Sequence, residues 1–316
     1  VSVFSDLNNL TDISMDHRYI SICGMTEKEL LTNFKEGINE LAEANGDTEE
    51  ATIAKLKARY DGYHFEENTV GIYNPFSVLN TLSRLRYKDY WFETGTPTFL
   101  VDLLKMHNYR LPDMTKERVS DDVINSVDSL STNPIPVIYQ SGYLTIKGYD
   151  ERFKKYLLGF PNKEVEEGFL NFLLPLYCSA GDRSAFMVDE FVKDVEAGHV
   201  EQFMNRLTAF FTDNNYPVAG EAELYFQNAM YLVFKIMGFY TQVERPTSDG
   251  RIDAIIQTPN YIYVIECKLD RTADEAIKQI ENNGYAEPFL MDKRKLYKIG
   301  VSFSSETRGV AEYKIK

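Results

Sequence analysis

The segment Tyr261–Leu269 constrains this chain more than any other, because it is apolar and β-branched until two charges appear near its end. Such a run predicts a buried strand. Side chains alternate along a strand, so Glu266 and Lys268 lie on the same face as Ile262 and Val264. Two charged groups at the end of a buried strand are costly unless each is paired or used. We therefore expect a functional site at this strand end.

A second strand precedes this one and supplies another carboxylate. It ends at Gln257, and a four-residue loop over Thr258–Tyr261, built around a type I turn, pairs Gln257 with Ile262. Counting back along both strands, Asp253 then faces Glu266. Two carboxylates directly opposite each other repel by up to about 1 kcal/mol on a sheet surface. A divalent cation between the two carboxylates turns that repulsion into a binding site.

This arrangement of charges predicts a phosphodiester hydrolase. Mg²⁺ prefers hard oxygen ligands and retains several waters that can take part in chemistry. A metal that contacts a phosphate oxygen and a water polarises the first and acidifies the second. Lys268 then orients the attacking water or stabilises the charge of the transition state.

The alternative is that Glu266 and Lys268 form only a solvated pair at a strand end. The Glu-x-Lys spacing is weak by itself, because it recurs at Glu312 and Lys314, with Asp292 upstream. Context separates the two patterns. The first has a carboxylate on the neighbouring strand, whereas Asp292 lies in a charged turn. The site is therefore predicted at the first pattern.

The order of predicted elements divides the chain near Pro217. Before it, apolar residues recur mostly at helical spacing, with a capping box at Thr26 and Glu29 and a short strand-like stretch over Tyr139–Ile146. After it the pattern predicts a helix over Glu221–Met237, strands over Phe239–Glu244, Arg251–Gln257 and Tyr261–Leu269, a helix over Thr272–Ile280, and a strand over Leu296–Phe303. This αβββαβ order predicts an α/β domain behind a mostly helical region, an α+β multidomain chain.

Motif spacing excludes several kinds of site. The three cysteines and four histidines show no CxxC, HExxH or HxH pattern, which argues against a disulfide scaffold and a zinc site. No GxxxxGK[ST] loop is present to hold a triphosphate. No apolar run approaches the roughly 20 residues that a membrane helix needs. We expect a cytoplasmic protein with no membrane contact.

The acidity of the chain is unevenly distributed. Lys and Arg number 34 against 48 Asp and Glu, a net charge of −14, which weakens the idea of DNA binding by overall phosphate neutralisation. Residues 221–316 carry a net charge of only −1. A polyanion contact is therefore not excluded for the C-terminal domain. Lys293, Arg294, Lys295 and Lys298 are expected beside the site, where they could meet a phosphate backbone or form only a solvated turn.

Several of these residues resemble the PD-(D/E)XK nuclease superfamily. They are Arg251-Ile-Asp253, Glu266-Cys-Lys268, Gln279 and Tyr285. The likeness is closest to the domain attached to AAA-ATPase-like proteins of gut Bacteroidetes, and it implies a restriction-endonuclease-like αβββαβ fold. It also implies roles for the matching residues: Asp253 and Glu266 as ligands of Mg²⁺ or Mn²⁺, the carbonyl of Cys267 as a third ligand, and Lys268 and Gln279 as catalytic-site residues.

The family also tends to place a catalytic glutamate on its first helix. Glu223 is the better match, because the aromatic-aromatic-His triplet of the family aligns with Tyr225-Phe226-Gln227; Glu221 is the fallback. Gln227 departs from the histidine of the family. The resemblance therefore leaves two functions open: a metal-dependent nuclease, or an eroded nuclease fold that binds or scaffolds.

The region before the nuclease-like domain resembles the AAA-ATPase-like family through longer motifs. These are Phe4-Ser-Asp-Leu-Asn-Asn-Leu-Thr-Asp-Ile-Ser14, Tyr60-Asp-Gly-Tyr-His-Phe65, Ile72-Tyr-Asn-Pro-Phe-Ser77, Tyr90-Trp-Phe-Glu-Thr-Gly-Thr-Pro-Thr98, Gln140-Ser-Gly-Tyr-Leu-Thr-Ile146 and Gly159-Phe-Pro-Asn-Lys-Glu-Val165. The resemblance implies that Val1 begins near the sensor strand of an ATPase core, with Asn8 and Asn9 at its end. The phosphate-binding loop then lies upstream.

These resemblances imply a domain plan and a set of ligands. Residues 1–145 are expected to be the AAA-ATPase-like part, 146–217 a helical connection, and 218–316 the nuclease-like domain. ATP is expected to bind only the full-length protein. Among partners, nucleic acid is expected, DNA ahead of RNA, while protein partners and homo-oligomers stay open.

Overall fold

The structure, a computed structural model, describes residues 13, 15–94, 98–124, 133–177, 184–211, 222–244 and 254–316. It divides into two compact units, Val1–Phe169 and Leu170–Lys316. The predicted boundaries at 145 and 217 stay predictions. Within the described ranges, no helix combines the length and the apolar character needed to cross a bilayer.

The first unit combines helices with a small sheet. Its helices are α1 (Glu27–Asn33), α2 (Lys35–Asn45), α3 (Glu49–Tyr60), α4 (Pro75–Arg84), α5 (Thr98–Met106), α6 (Asp121–Ile124) and α7 (Ile135–Gln140). Its strands are β1 (Arg118–Val119), β2 (Thr145–Asp150) and β3 (Lys155–Gly159), antiparallel in the order β1-β3-β2. Helix α8 (Lys163–Leu173) leads into the second unit.

Local sequence signals explain where these helices begin. Thr26 caps α1 with the predicted capping box, in which the Thr26 hydroxyl accepts from the backbone N–H of Glu29 and the Glu29 carboxylate accepts from that of Thr26. Asn74 caps α4 ahead of Pro75. The first four helices then pack around the buried ring of Tyr60.

The strand-like stretch predicted over Tyr139–Ile146 was largely wrong. Helix α7 extends to Gln140, and β2 begins only at Thr145. Between them lies Gly142, whose positive φ of 81° suits a turn rather than a strand. The apolar spacing of a short segment does not separate a helix end followed by a strand from a single strand.

The second unit contains the predicted α/β arrangement. Its helices are α9 (Ser184–Ala197), α10 (Val200–Phe211), α11 (Ala222–Met237) and α12 (Ala273–Asn282). Its strands are β4 (Gln242–Glu244), β5 (Ala254–Gln257), β6 (Tyr261–Leu269), β7 (Lys295–Ser304) and β8 (Gly309–Ile315). The predicted order, helix, three strands, helix and strand, is confirmed in α11, β4, β5, β6, α12 and β7. The fold is mixed α/β; that the first unit is the lid of an ATPase stays a prediction.

The sheet of this unit has the order β4-β5-β6-β7-β8. Strands β6 and β7 are parallel, and the other neighbouring pairs are antiparallel. Helix α12 makes the crossover between the parallel pair, as such a connection requires. The C-terminal strand β8 was not predicted. It pairs along β7 and gives the sheet its last strand.

The two faces of the sheet have different cores. On one face, Ile262 and Val264 of β6 pack with Ile277 and Ile280 of α12. On the other, Phe303 of β7 packs on aromatic rings of α10 and α11. Strand β6 is therefore buried on both faces, which explains why its sequence is apolar almost throughout.

Candidate active site

The predicted site lies at the carboxyl end of β6, the central strand of the sheet. Glu266 and Lys268 pair in register with Gly300 and Ser302 of the parallel strand β7. Alternation keeps both charged side chains on the face that Val264 shares with α12. The sequence prediction that these two residues share one face is confirmed.

Glu266 and Lys268 form an ion pair. The Lys268 ammonium donates to Glu266 Oε1 over 2.8 Å. The Glu266 side chain is 2% exposed and that of Lys268 is 18% exposed. A carboxylate this deeply buried needs a compensating charge, and the lysine supplies it. The solvated pair that the alternative interpretation expected is therefore not what the structure shows.

The strand next to β6 has the predicted register. Gln257 pairs with Ile262, and the ladder extends to Ala254 opposite Ile265. The turn is tighter than predicted, because the backbone N–H of Thr258 donates to the carbonyl of Tyr261 and only two residues separate them. Asp253 lies outside the described residues, so its position opposite Glu266 stays a prediction.

Gly300 lets α12 approach the site closely. A Cβ at this position would lie 2.4 Å from the carbonyl oxygen of Ala273 and 3.0 Å from Ile277 Cγ1. Because Gly300 is directly opposite Glu266, the first turns of α12 cover the strand next to the buried carboxylate. The sequence analysis missed this role, although a glycine inside an otherwise apolar strand signals a close approach.

The remaining predicted metal ligand is the carbonyl of Cys267. This residue lies between the ion-paired residues on β6, and its thiol is not in a disulfide and is partly exposed. Alternation turns the thiol to the opposite face from Glu266. A thiolate ligand on the Glu266 face is thereby excluded, while the ligand role of the carbonyl stays a prediction.

Glu223 is the predicted glutamate of the first helix, and it lies in the first turn of α11. Its carboxylate accepts from the amide of Gln227 over 3.0 Å, and its side chain is exposed. The next turn of the helix places Phe226 on Phe303, on the face of the sheet opposite Glu266. The catalytic role of Glu223 stays a prediction. The fallback residue, Glu221, lies outside the described residues.

Gln279 lies on α12, the helix that covers the Glu266 face of the sheet. Its side chain is partly buried. In sequence it lies between Ile277 and Ile280, which belong to the core beneath the helix. Tyr285 follows the helix and packs against the same core. The structure thus places Gln279 on the expected element, and its part in catalysis stays a prediction.

The prediction that basic residues flank the site was wrong for the stretch Lys293–Lys295. Lys295 pairs with Tyr261 at the amino end of β6, five residues before Glu266, a separation of roughly 16 Å along a strand. Because β6 and β7 are parallel, their amino ends lie together, away from the site. Arg294 is also held by Asp292 and by Gln257, so it belongs to the structure of that turn.

The second Glu-x-Lys pattern has a structural role. The Glu312 carboxylate accepts from the backbone N–H of Ala273 over 2.7 Å, at the start of α12. Lys314 pairs with Asp274, an exposed residue of the same first turn. Glu312 and Lys314 thus hold α12 against β8. This structural role is consistent with the prediction of the site at Glu266 and Lys268 instead.

A full metal-binding cluster is not seen in the described ranges. No three histidine, cysteine, aspartate or glutamate residues among them are grouped to hold an ion. The described part of the site contributes one buried carboxylate, Glu266, and one cation, Lys268.

Comparison with known proteins identifies the domain that contains this site. The family model described as the PD-(D/E)XK nuclease superfamily matches residues 221–313. This stretch, which holds α11 through most of β8, is therefore a PD-(D/E)XK nuclease superfamily domain, as the sequence motifs predicted. The match does not extend to the preceding region.

A relative covers the whole chain. It is a protein of Azotobacter chroococcum mcd 1, described as an uncharacterized protein in the vnfD 5′ region, and it is 31% identical over 327 aligned residues. The alignment includes 100% of this chain and 61% of that protein, so the chain spans about three fifths of its relative's length. No solved structure matches the chain.

Proposed function

We propose that the domain at residues 221–313 hydrolyses phosphodiester bonds of nucleic acid with the help of Mg²⁺ or Mn²⁺. The single observation that supports this most is the buried ion pair between Glu266 and Lys268 within a domain of this superfamily. Burying a carboxylate at a strand end costs stability, and a site that uses the charge explains why it is there.

The chemistry of the donor groups fits a hard divalent cation. We assign Glu266, the backbone carbonyl of Cys267 and Asp253 as the ligands, all of which are oxygen donors of the kind that Mg²⁺ and Mn²⁺ prefer. The observed ladder ends with Ala254 opposite Ile265, and the sequence prediction for Asp253 is the next position, opposite Glu266. When bound, the ion supplies Lewis-acid polarisation of the phosphate and a more acidic water.

Lys268 is the residue to which we assign the principal catalytic role. Its ammonium contacts Glu266 Oε1, and its side chain keeps part of its surface exposed. From there it can orient the attacking water and stabilise the additional negative charge that develops on the phosphoryl oxygens. Gln279 and Glu223 are proposed to support the site by orienting water or substrate, each from its own helix.

DNA is the proposed substrate, ahead of RNA. The nearly neutral domain lacks the basic excess of proteins that bind duplexes by charge alone, so we expect binding to depend on the metal and on a few local contacts. Lys298, which pairs with Val264 two residues before Glu266, is the basic residue of β7 nearest the site.

Cleavage assays with matched variants test the proposed function. Supercoiled DNA, single-stranded DNA and RNA are incubated with the protein and Mn²⁺, and the same reactions are run with Glu266→Gln and Lys268→Ala. We expect a loss of at least about 100-fold in rate for each, because each removes a group that acts in the transition state. Lys314→Ala, from the second Glu-x-Lys pattern, is the control and should cleave like the wild type. Equal rates in all four proteins would exclude this site.

A second candidate function is a nuclease fold that binds or scaffolds without cleaving. The observation that favours it is Gln227, which stands where the family has a histidine and which donates to Glu223. Calorimetric titration with Mg²⁺ and Mn²⁺ discriminates between the two, because an eroded site should bind neither ion at Glu266. Binding that disappears in Glu266→Gln would favour the nuclease.

We also propose that the region before the nuclease domain belongs to an AAA-ATPase-like protein whose ATP cycle acts on the nuclease. Support comes from the motifs of residues 4–165, several of which meet in the first unit. Ser77 and the backbone N–H of Trp91, from two such motifs, both donate to Glu164 of a third over 2.8 Å. Equilibrium binding of labelled ATP to the full-length protein and to this chain tests the proposal. We expect binding only by the full-length protein.

A further inference from the structure

The ion pair at the end of β6 has a consequence for how a metal ion enters the site. Glu266 is almost completely buried, and the Lys268 ammonium lies within hydrogen-bonding distance of its Oε1 atom. That oxygen is one of the two through which Glu266 can ligate a divalent cation. An ion that contacts Oε1 takes the place of the ammonium, and an ion that contacts only Oε2 puts a second positive charge beside it. Either arrangement weakens the contact between the ammonium and the carboxylate.

We propose that Lys268 is the counter-ion of Glu266 in the metal-free protein and is displaced from it by the arriving metal ion. This inference rests on the proposed function, because it assumes that Glu266 is a metal ligand. It assigns Lys268 a second task beside catalysis: the same side chain that regulates metal occupancy becomes available to substrate once the ion is bound.

Physical constraints favour this exchange over simultaneous binding. A buried carboxylate that loses the cation paired with it is strongly destabilised, so the metal-free protein gains from the pair. The two residues are separated by one position on a rigid central strand, and Gly300 brings α12 close to the neighbouring strand. The carboxylate thus has little freedom to move, whereas the lysine has a flexible stem and is partly exposed.

The exchange also links metal binding to substrate readiness. Lys268 is neutralised by Glu266 while no metal is bound, so its ammonium offers little attraction to a phosphate. A divalent cation on Glu266 replaces that neutralisation and leaves the ammonium charge uncompensated. The site then presents two positive groups to a phosphodiester only when the metal is present. The affinity for nucleic acid should therefore be higher with the metal than without it.

Calorimetric titration with Mn²⁺ alone tests the inference without any measurement of cleavage. Lys268→Met and Lys268→Gln remove the competing ammonium, and we expect each to bind Mn²⁺ at least about tenfold more tightly than the wild type, equivalent to about 1.4 kcal/mol. Lys298→Met is the matched control. It removes one positive charge from the same face of the sheet without touching Glu266, and it should change the affinity less than about twofold.

A second measurement uses melting temperatures. In EDTA, Lys268→Met should melt below Lys298→Met, because it leaves the buried carboxylate without its counter-ion. Saturating Mn²⁺ should raise the melting temperature of Lys268→Met more than that of the wild type. These readouts depend on the ion pair and not on the chemical step.

The outcomes separate this inference from the proposed function. If Glu266→Gln abolishes Mn²⁺ binding but the Lys268 variants bind no more tightly than the wild type, the metal site stands and the exchange is overturned. Equal gains in the Lys268 variants and in Lys298→Met would mean that long-range charge is the cause, which also overturns it. If Glu266→Gln binds Mn²⁺ like the wild type, both the metal site of the proposed function and the exchange fail.

Discussion

At the scale of single residues, Glu266 and Glu164 are buried carboxylates of the described ranges that are stabilised in different ways. Glu266 has an ammonium group against it. Glu164 instead accepts hydrogen bonds from the Ser77 hydroxyl and the Trp91 backbone over 2.8 Å each, and burial raises its pKa to about 7. The raised pKa means that burial outweighs both hydrogen bonds, which by themselves would lower it.

Glu164 should therefore make the stability of the protein depend on pH. Its folded pKa lies above the unfolded value, so the folded state binds the proton more tightly. This contribution is fully present below about pH 4.5 and is lost as the pH rises to about 7, by up to about 3 kcal/mol. Denaturant unfolding of the wild type and of Glu164→Gln on both sides of that range measures it. The free energy of unfolding of Glu164→Gln should increase relative to that of the wild type as the pH rises.

An exposed carboxylate provides the comparison for that experiment. Glu36→Gln makes the same chemical change on the surface of α2 and is the control for the substitution itself. A constant difference between Glu164→Gln and the wild type across the range would show that Glu164 is already charged in the folded protein.

Gly300 is the residue whose substitution should disturb the site most without changing its chemistry. Gly300→Ala places a Cβ 2.4 Å from the Ala273 carbonyl, which belongs to the backbone and cannot move away by itself. We expect a loss of about 1–3 kcal/mol in the free energy of unfolding, typical of overpacking. Gly309→Ala, where the nearest atom would be 3.6 Å away, should cost less than about 0.5 kcal/mol. Urea denaturation of both variants provides the comparison.

At the scale of elements, α12 is held in place at its N-terminus and along its buried face. Its own Thr272 and Glu275 form a capping box, and Glu312 of β8 accepts from the N–H of Ala273. Ile277 and Ile280 bury its lower face against β6. This helix covers the face that carries the ion pair, so its attachment determines how precisely the site is shaped.

Glu312 should contribute more to stability than the lysine two residues later. Glu312→Ala removes an acceptor from a helix N-terminus, which typically costs about 0.5–2 kcal/mol. Lys314→Ala removes only an exposed ion pair with Asp274, which is worth about 0–1 kcal/mol. Equilibrium denaturation ranks the two variants. A larger loss for Lys314→Ala would mean that Glu312 does not act as a cap.

At the scale of the whole molecule, the two compact units should respond differently to a metal ion. An ion that binds only the folded state stabilises it, by about 2.7 kcal/mol at a hundredfold excess over its dissociation constant. The proposed ligands all lie in the second unit, within the stretch that matches the nuclease superfamily. Metal binding should therefore stabilise that unit selectively.

Hydrogen exchange followed by mass spectrometry measures this selectivity. With Mn²⁺, amides of β5, β6 and α12 should exchange more slowly, whereas those of α1–α4 should exchange as in EDTA. Glu266→Gln should remove the difference. Slower exchange in the first unit with no change in the second would place the metal elsewhere in the chain.

Much of the site could be predicted from the sequence because it depends on neighbours along the chain. Alternation alone placed Glu266 and Lys268 on one face of β6. The pairing of Gln257 with Ile262 was predicted correctly although the turn is tighter than predicted, because a four-residue loop and the observed two-residue loop both place these residues opposite each other. Both follow from short-range geometry, in which a strand repeats every two residues and a short turn allows few registers.

The rest was decided by contacts between segments that are distant in sequence. Only the parallel pairing of β6 with β7 shows that Lys293–Lys295 lie away from the site. Only the packing of β8 shows that Glu312 caps α12 rather than binding an ion. Parallel pairing needs a crossover, and its register depends on how the intervening helix packs, which local sequence does not encode. The sequence thus determined which residues could form the site, and the tertiary structure determined what surrounds the carboxylate and which cation neutralises it.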